Sequence, residues 1–573
     1  MSAINTIGSA GDTITQGHFT PDCWDLLCAM ASEIEDMPTL KEALNGPNAK
    51  KWRQAIHAEL QSLLDLGVYK KTTRDKVPKG KKVLLSKLVL KYKAYEQRFK
   101  ARLVALGFMQ PDEDVGETFA PVAKFTTFRI LMAVACYYDL EISSSDVKTA
   151  FLNAIMNDPI YMYPPRGLGF PPHEVWILRR ALYGLKSSPH FWHITFHNFL
   201  MELGFEQSPI DPCLYYIEGL WILQWVDDSC KVGTREAIEW FERECEKRFT
   251  INHVRDVEMF VGIEIKRDRK QRTLELTQTA NIEKMLRKFK LIDAEGQPEY
   301  GVATPMQENT KISKADCCNG DAKLTAELRD LGFDFISAAA SCLYVSICTR
   351  PDIAFAAKEH CKVMSDPGPK HVPSLKRLMK YLRGTRHRGL RYTATGDFDL
   401  SFQSEYAEVP HELTVQAWCD ASFGDDPDTR RSTQAMVSQL CGAAVGWFCQ
   451  TQKSTSLSTA EAELIALADA IKEVKYIRET MKFLELEQKE PTIVFEDNMA
   501  VVSTAHNPGK NHGKLKHVAI RVRSVQENVL EFQVIDVVHC TTKNMIADIL
   551  TKALGKEQYV RLAAALLGYC QLE

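Results

Sequence analysis

Two acid-bearing units of mixed secondary structure are what this sequence predicts: a large α+β body and, after it, a compact α/β unit. Three observations carry the prediction. An apolar, strand-like stretch over 220–226 runs into the adjacent pair Asp227-Asp228. Another, over 140–145, ends at Asp146 and opens a helix-like segment over 149–156. Further on, strand-like stretches over 413–419 and 492–496 end at Asp420 and Asp497, with a long helix over 458–486 between them.

At 573 residues the chain is long enough for about three or four domains. Its 45% apolar and 25% charged residues are ordinary globular usage. The formal charge of −3 does not advertise a polyanionic partner, but the charge is unevenly placed. Residues 70–102 hold thirteen Lys or Arg against Asp75 and Glu96, a local balance of +11. Val83, Leu84, Leu88, Val89 and Leu90 interrupt the charges, which describes a folded basic face rather than a tail; taken alone such a face is a solvated surface, and it becomes a phosphate-binding one where a nucleic-acid site is argued independently. The sixteen cysteines form no CxxC pair and no Cys/His zinc spacing, so buried thiols in a reducing compartment are expected. With no basic n-region at the start and no run of about eighteen apolar residues, neither a signal peptide nor a membrane span is expected, and an intracellular location follows.

Taken from the N-terminus, residues 1–37 are weakly patterned and are expected to be a poorly ordered leader or interdomain remnant. A body over 38–300 follows. Its first helix is marked by Trp52, Ile56, Leu60, Leu63 and Leu64 at three- and four-residue spacing. The basic stretch comes next, then the segments carrying Asp146 and Asp227, then a basic helix over 282–291 with Met285, Leu286 and Phe289 as apolar positions. Residues 301–412 read as a connection: a Pro- and Gly-punctuated zone, helices over 336–364 and 372–382, and an acidic, turn-rich linker over 393–412. The α/β unit occupies 413–555, and 556–573 is expected to be a tail.

Adjacent aspartates are common in turns, because Asp tolerates left-handed backbone angles. Asp146 as a third carboxylate changes the reading. Three carboxylates brought together would repel by about 4 kcal/mol per pair at about 4 Å and an effective dielectric near 20, which approaches the whole stability of a domain. Such a cluster persists when solvated, protonated or neutralised by a divalent cation, and oxygen ligands favour Mg2+ or Mn2+. In the second unit, Ser458 and Glu461 have the spacing of a capping box at the start of the long helix. At about 100° per residue, Glu463 shares a face with Leu467, Ile471, Val474 and Met481, whereas Glu461 lies roughly opposite. A carboxylate on an apolar face calls for a reason. Either Glu463 snorkels to water from the helix end, or it joins Asp420 and Asp497 around metal. Asp548, in a helix-like stretch over 544–554, offers a fourth ligand.

At this point the motifs, in their order, resemble a known family. They are Lys100-Ala101-Arg102-Leu103-Val104-Ala105, Glu117-Thr118-Phe119-Ala120-Pro121-Val122 and Asp146-Val147-Lys148-Thr149-Ala150-Phe151-Leu152-Asn153. Then come Leu182-Tyr183-Gly184-Leu185-Lys186 with Pro189 and Trp192, the Asp227-Asp228 pair, and Arg430-Arg431-Ser432-Thr433. Ser456-Leu457-Ser458-Thr459-Ala460-Glu461-Ala462-Glu463 and Ala547-Asp548-Ile549-Leu550-Thr551-Lys552 complete the set. From about residue 38 to residue 568 the chain resembles the reverse transcriptase and ribonuclease H portion of copia-type LTR retrotransposon polyproteins.

The resemblance implies an α+β right-hand polymerase (fingers, palm and thumb over 38–300), a connection, and an α/β ribonuclease H-like domain. It implies an RNA-directed DNA polymerase with ribonuclease activity on RNA–DNA hybrids, working by two-metal catalysis with Mg2+, or Mn2+ in its place, two ions per centre. Asp146, Asp227 and Asp228 would be the palm ligands, and Asp420, Glu463, Asp497 and Asp548 those of the second centre. Lys100 or Arg102 would contact the incoming triphosphate, Phe151 would exclude the ribose 2′-hydroxyl, and Tyr183 and Gly184 would pack on the nucleotide and its templating pair. The implied partners are an RNA template, a DNA primer, dNTPs and an RNA–DNA hybrid, with a second copy or an integrase as further associates and no membrane. The implied location is a cytoplasmic particle or the nucleus.

Three positions depart from the family pattern. Trp225 stands where Tyr is usual, Ser422 where a second Asp follows Asp420, and Leu88 where Trp is usual. No protease, integrase or nucleocapsid signature is present, so the chain is expected to be the C-terminal enzymatic part of such a polyprotein. A decayed or domesticated element product that binds nucleic acid without catalysis is the competing reading, and Trp225 is what keeps it open. A telomerase-like or intron-encoded enzyme fits less well, because of the appended second unit.

Overall fold

The computed structural model describes residues 13–15, 38–93, 97–111, 115–292, 301–394, 413–508 and 518–572. Helix α1 (Ala49–Asp65) buries Trp52, Ile56 and Leu63 of the stripe its spacing predicts, while Leu60 is half-buried and Leu64 is exposed. It packs on an antiparallel ribbon of β1 (Ser86–Lys93) and β2 (Arg98–Ala105), into which the basic run is folded. Helix α2 (Phe125–Tyr138) is apolar on every side and correspondingly buried over Phe125 to Cys136.

The central sheet is antiparallel throughout. Its strands are β3 (Glu141–Val147), β4 (Leu214–Ile217), β5 (Leu220–Trp225), β6 (Asp228–Gly233) and, after helix α3 (Arg235–Glu246), β7 (Ile251–Arg255), with Glu206–Gln207 at one edge. Their spatial order is β7-β3-β6-β5-β4-edge. The segment after Asp146 differs from expectation. Only Ala150–Asn153 is helical, and a strand, Ile155–Met162, takes over where Ile155, Ile160 and Tyr161 favour extended backbone.

Helix α4 (Thr279–Lys288) lies three residues earlier than the spacing suggested, with Ile282, Met285 and Leu286 buried. Two helices of the 301–394 region, α5 (Phe335–Cys348) and α6 (Ala354–Lys362), are buried throughout except for the half-buried Ile336. The second sheet contains β8 (Gln416–Ser422), β9 (Thr433–Leu440), β10 (Ala443–Thr451) and, after helix α7 (Thr459–Phe483), β11 (Thr492–Glu496) and β12 (Ile535–His539). Strands β8, β9 and β10 are antiparallel, while β11 and β12 run parallel to β8. Thr13–Thr15 adds an antiparallel strand beside β10, so part of the 1–37 segment is strand; its remainder, like the 395–412 part of the expected linker, lies outside the described residues. Residues 556–573 are more than a tail. They contain α8 (Lys556–Leu567), whose Leu562, Leu566 and Leu567 reach the core.

One apolar cluster runs from Phe128 on α2 through Leu343 on α5 and Trp447 on β10 to Leu562 on α8. Arg129 lies at its centre, fully buried, where an unpaired charge would be prohibitive. Its Nε donates to Val445 O at 2.8 Å, its Nη1 donates to Ile347 O and Cys348 O at 3.0 and 2.9 Å, and its guanidinium lies 3.9 Å from the Trp447 ring. A second cross-unit contact joins Thr127 to Asp211 (2.6 Å) and Tyr476 of α7 to the same carboxylate (3.1 Å). Arg129→Met is therefore expected to cost about 3 kcal/mol, because three carbonyls lose their donor inside the core. Urea denaturation checks this, and the α/β unit should loosen together with the body.

None of the described cysteines is in a disulfide, and all but Cys570 are buried. Among the described residues no single helix is long and apolar enough to cross a membrane.

Candidate active centres

Asp146 ends β3, and Asp228 begins β6 directly opposite it in the antiparallel ladder. The pairing follows from two sequence facts: Asp146 lies near the carboxyl end of its strand and Asp228 at the amino end of its own, which antiparallel pairing brings to one edge, and the hairpin between β5 and β6 is as short as a hairpin can be. Trp225 pairs with Asp228, so Val226 and Asp227 alone make the turn. Val226 has φ of 56°, an unfavourable conformation for a β-branched residue. Its carbonyl accepts a 2.6 Å hydrogen bond from the Trp192 indole, and Asp227 O accepts from Val147 N at 3.3 Å. Those contacts hold the turn against β3 and give the motif residue Trp192 a physical role.

Beneath the strands, Lys231 of β6 is fully buried. Its ammonium donates to Ser145 Oγ on β3 at 2.6 Å and to Glu242 Oε1 on α3 at 2.8 Å, tying the two acid-bearing strands together.

Burial, then the negative charges of Asp227 and Asp146, pushes the Asp228 carboxyl up to about 7. Burial also raises Asp227, with Asp146 adding to the shift and Arg102 and Lys100 opposing it. The consequence for stability has a definite sign. Between the ordinary aspartate range near pH ~4 and about 7, the folded protein binds more protons than the unfolded chain. Metal-free protein is thus expected to lose stability as pH rises through that window, and a divalent cation should restore it. Denaturation midpoints in chelator and in Mg2+ at about pH 5 and about pH 8 check both halves.

A cavity of about 880 Å³ opens over Asp227 and Asp228 and is also lined by Arg102, Phe151, Tyr183 and Gly184. The Arg102 guanidinium stands 4.7 Å from the Tyr183 ring, and the Phe151 and Tyr183 rings meet edge-on at 4.9 Å. Gly184 has φ of 90°, and a Cβ there would fall 2.1 Å from Ala105 O, so no other residue fits. Tyr183 O accepts from Ala105 N at 2.8 Å, which fixes the basic ribbon to this wall. Lys100 and Asp146 do not line the cavity; Lys100 acts on it through charge. Trp225 lines it with one edge while its body is buried against Phe125, ring centroids 4.6 Å apart. Glu59 of α1, half-hidden beside Lys100 and Arg102 and accepting from Leu103 N at 2.9 Å, is a neighbour that no spacing rule singles out.

In the second unit Asp420 and Asp497 sit at the carboxyl ends of the parallel strands β8 and β11, the edge at which open α/β sheets gather ligands. Helix α7 begins with Ser458 Oγ accepting from Glu461 N. Glu461 reaches back to Leu457 N at 2.8 Å, one residue before the position a capping box uses. Glu461 thus serves the helix end and Glu463 serves the centre. Asp420, Glu463 and Asp497 each offer an oxygen within 4.8 Å of the others; among the described residues no other three His, Cys, Asp or Glu come so close, Asp146, Asp227 and Asp228 included. Glu463 Oε2 is buried without a hydrogen-bond partner, and burial followed by Asp420 drives its carboxyl strongly upward. An orphaned buried carboxylate oxygen among hard oxygen donors fits a divalent cation.

Asp548 lies in a short 3₁₀ turn, Ile546–Leu550, rather than a long helix, and outside that trio. Burial and Asp420 raise its carboxyl to about 8. Three residues missed in the sequence complete the wall. Fully buried Glu496 accepts from Asn498 N at 3.0 Å; Thr551 donates its hydroxyl to Asp420 Oδ2; Lys552 ion-pairs with Asp548 at 2.7 Å. The last two belong to the Asp548 motif, so only Glu496 left no signal beyond its adjacency to Asp497.

The chain is similar to known proteins over most of its length. Residues 69–308 match the family described as reverse transcriptase (RNA-dependent DNA polymerase). The chain is 31% identical over 554 residues to the retrovirus-related Pol polyprotein from transposon TNT 1-94 of Nicotiana tabacum, covering 94% of this chain and 39% of that protein. It is 29% identical over 583 residues to the corresponding polyprotein from transposon RE1 of Arabidopsis thaliana, covering 98% and 37%. The chain therefore spans about two fifths of the length of these curated relatives. A foamy viral protease-reverse transcriptase in complex with dsDNA aligns over 94% of this chain and 97% of its own at 12% identity, with a TM-score of 0.42, too low to bear on the fold.

Proposed function

Because this chain belongs to the family of copia-type retrotransposon Pol polyproteins, we propose that it copies RNA into DNA at the Asp146–Asp227–Asp228 centre and cleaves the RNA strand of an RNA–DNA hybrid at the Asp420–Glu463–Asp497–Asp548 centre. The observation that carries the first half is the ladder pairing of Asp146 with Asp228 and the placement of Asp227 on the intervening turn, under a cavity walled by basic and aromatic residues.

The three palm acids would hold Mg2+ ions, which when bound lower the pKa of the primer 3′-hydroxyl and neutralise the triphosphate. The residues of the chain do the remainder. Arg102, braced on Tyr183, presents a fixed cation to the triphosphate, with Lys100 adding to the local field. Phe151, held edge-on to Tyr183, occupies the space a ribose 2′-hydroxyl would need, which selects dNTPs. Gly184 brings bare backbone to the base pair. The template and primer lie against the basic ribbon through their phosphates.

For the second half, the support is the sheet with its parallel β8 and β11, the convergence of three acids at their carboxyl ends, and the orphaned Glu463 oxygen. Such a centre would hold the hybrid by backbone and groove shape, with the 2′-hydroxyl marking the RNA strand.

Purified protein is expected to extend a DNA primer on an RNA template with dNTPs and Mg2+, and to stop when EDTA removes the metal. Extension that continues in chelator would overturn the metal-dependent assignment. A folded protein inactive in both extension and hybrid cleavage would favour the decayed-element reading.

A further inference from the structure

The four acids of the second centre are not equivalent. Asp420, Glu463 and Asp497 converge, while Asp548 does not join them. Its Oδ1, buried and without a hydrogen bond of good geometry, is ion-paired with Lys552 Nζ at 2.7 Å, and its Oδ2 accepts from Gln558 Nε2 at 3.2 Å. The same ammonium stands 3.6 Å from Asp420 Oδ2, the oxygen that also accepts from the Thr551 hydroxyl. The Lys552 side chain is 37% exposed, so it sits at the mouth of the centre with solvent within reach.

Three carboxylates with water are enough for one hard divalent cation. A second ion needs Asp548, where Lys552 already stands. The ammonium already stands on Asp548 Oδ1, and a second divalent ion bound by that oxygen would be a like charge beside it, so ammonium and second ion compete for Asp548. Lysine suits an exchangeable partner, being a compact charge on a flexible four-carbon stem and a good point ligand for phosphate.

Building on the nuclease reading above, we propose that Lys552 is a positioning residue: it holds Asp548 away from metal in the hybrid-free protein and moves to a backbone phosphate when an RNA–DNA hybrid is seated. Asp548 is then released to the second ion. The exchange breaks one ammonium–carboxylate ion pair and makes one ammonium–phosphate ion pair, and no covalent bond is made or broken.

Mn2+ binding to the full chain, with the first centre disabled by Asp227→Asn and Asp228→Asn, tests this through the electron paramagnetic resonance signal of free Mn2+. The protein without nucleic acid is expected to bind one ion that Glu463→Gln removes. Lys552→Met should gain a second ion or bind it at least about tenfold more tightly, whereas Lys552→Arg should not. A hybrid with a 2′-O-methylated RNA strand should bring the second ion to protein that retains Lys552. Equal ion counts and affinities in the Lys552 and Lys552→Met proteins overturn the proposal. Should Lys552→Met fold poorly, Lys552→Gln must show the same gain or the proposal falls. Absence of any Glu463-dependent ion instead overturns the nuclease reading itself.

Discussion

Asp227→Asn is expected to lower primer extension by at least about a hundredfold, equivalent to about 3 kcal/mol or more of lost transition-state stabilisation. The substitution keeps the shape of the side chain and removes its charge at the tip of the β5–β6 turn. Repulsion with Asp146 is relieved, and the Trp192 bond to Val226 O and the Val147 bond to Asp227 O involve only backbone of the turn. Folding therefore should not suffer, and the melting temperature in chelator should hold or rise. A stable protein without extension, yet with unchanged hybrid cleavage, is the expected pattern. Extension at the wild-type rate would remove Asp227 from the centre, and a fall in melting temperature would point to a structural role instead.

Asp497→Asn and Asp420→Asn should produce the reciprocal result. RNA cleavage in a labelled hybrid is expected to fall by a similar factor of at least about a hundred, with primer extension retained. Of the two, Asp497→Asn is the cleaner, because Asp497 is only half-buried and its contact to Thr542 Oγ1, at 2.8 Å, survives as an amide hydrogen bond. Asp420 is buried and faces Thr551 and Lys552, so its loss also frees those two groups. Greater loss of stability in Asp420→Asn than in Asp497→Asn would follow from that difference, and thermal denaturation distinguishes them. Cleavage that persists in both variants would show that the second centre lies elsewhere.

The two centres differ in how they resist their own charge. In the first centre, Asp228 is raised by burial and by two like charges, and the neighbouring cations are Arg102 and Lys100 on a separate ribbon. In the α/β unit a lysine stands inside the cluster. Both arrangements leave carboxyls that titrate near neutrality, so metal affinity should rise as pH rises through that range.

How much of this was legible follows from the range over which each feature acts. The acids at strand ends, the stripe on α1 and the choice of Glu463 over Glu461 are local consequences of the two backbone periods, and the sequence displays them. The helix expected over 149–156 failed because its second half was claimed by a strand, a decision made by the sheet it joins. Trp225 stands where the family usually has Tyr. In the fold its ring is packed against Phe125, which lies a hundred residues earlier, and no pattern along the chain reports such a contact.

By itself, then, the sequence determined where the acids lie in their elements, which faces are apolar, and to which family the chain belongs, since these depend on spacing of a few residues or on ordered motifs. Folding decided the rest. It set Asp228 opposite Asp146, seated Arg129 among carbonyls from two other segments, and placed Lys552 against Asp548. Those arrangements join residues far apart in the chain, and their physical origin is the need to pair every buried charge and backbone group that burial of the apolar core takes out of water.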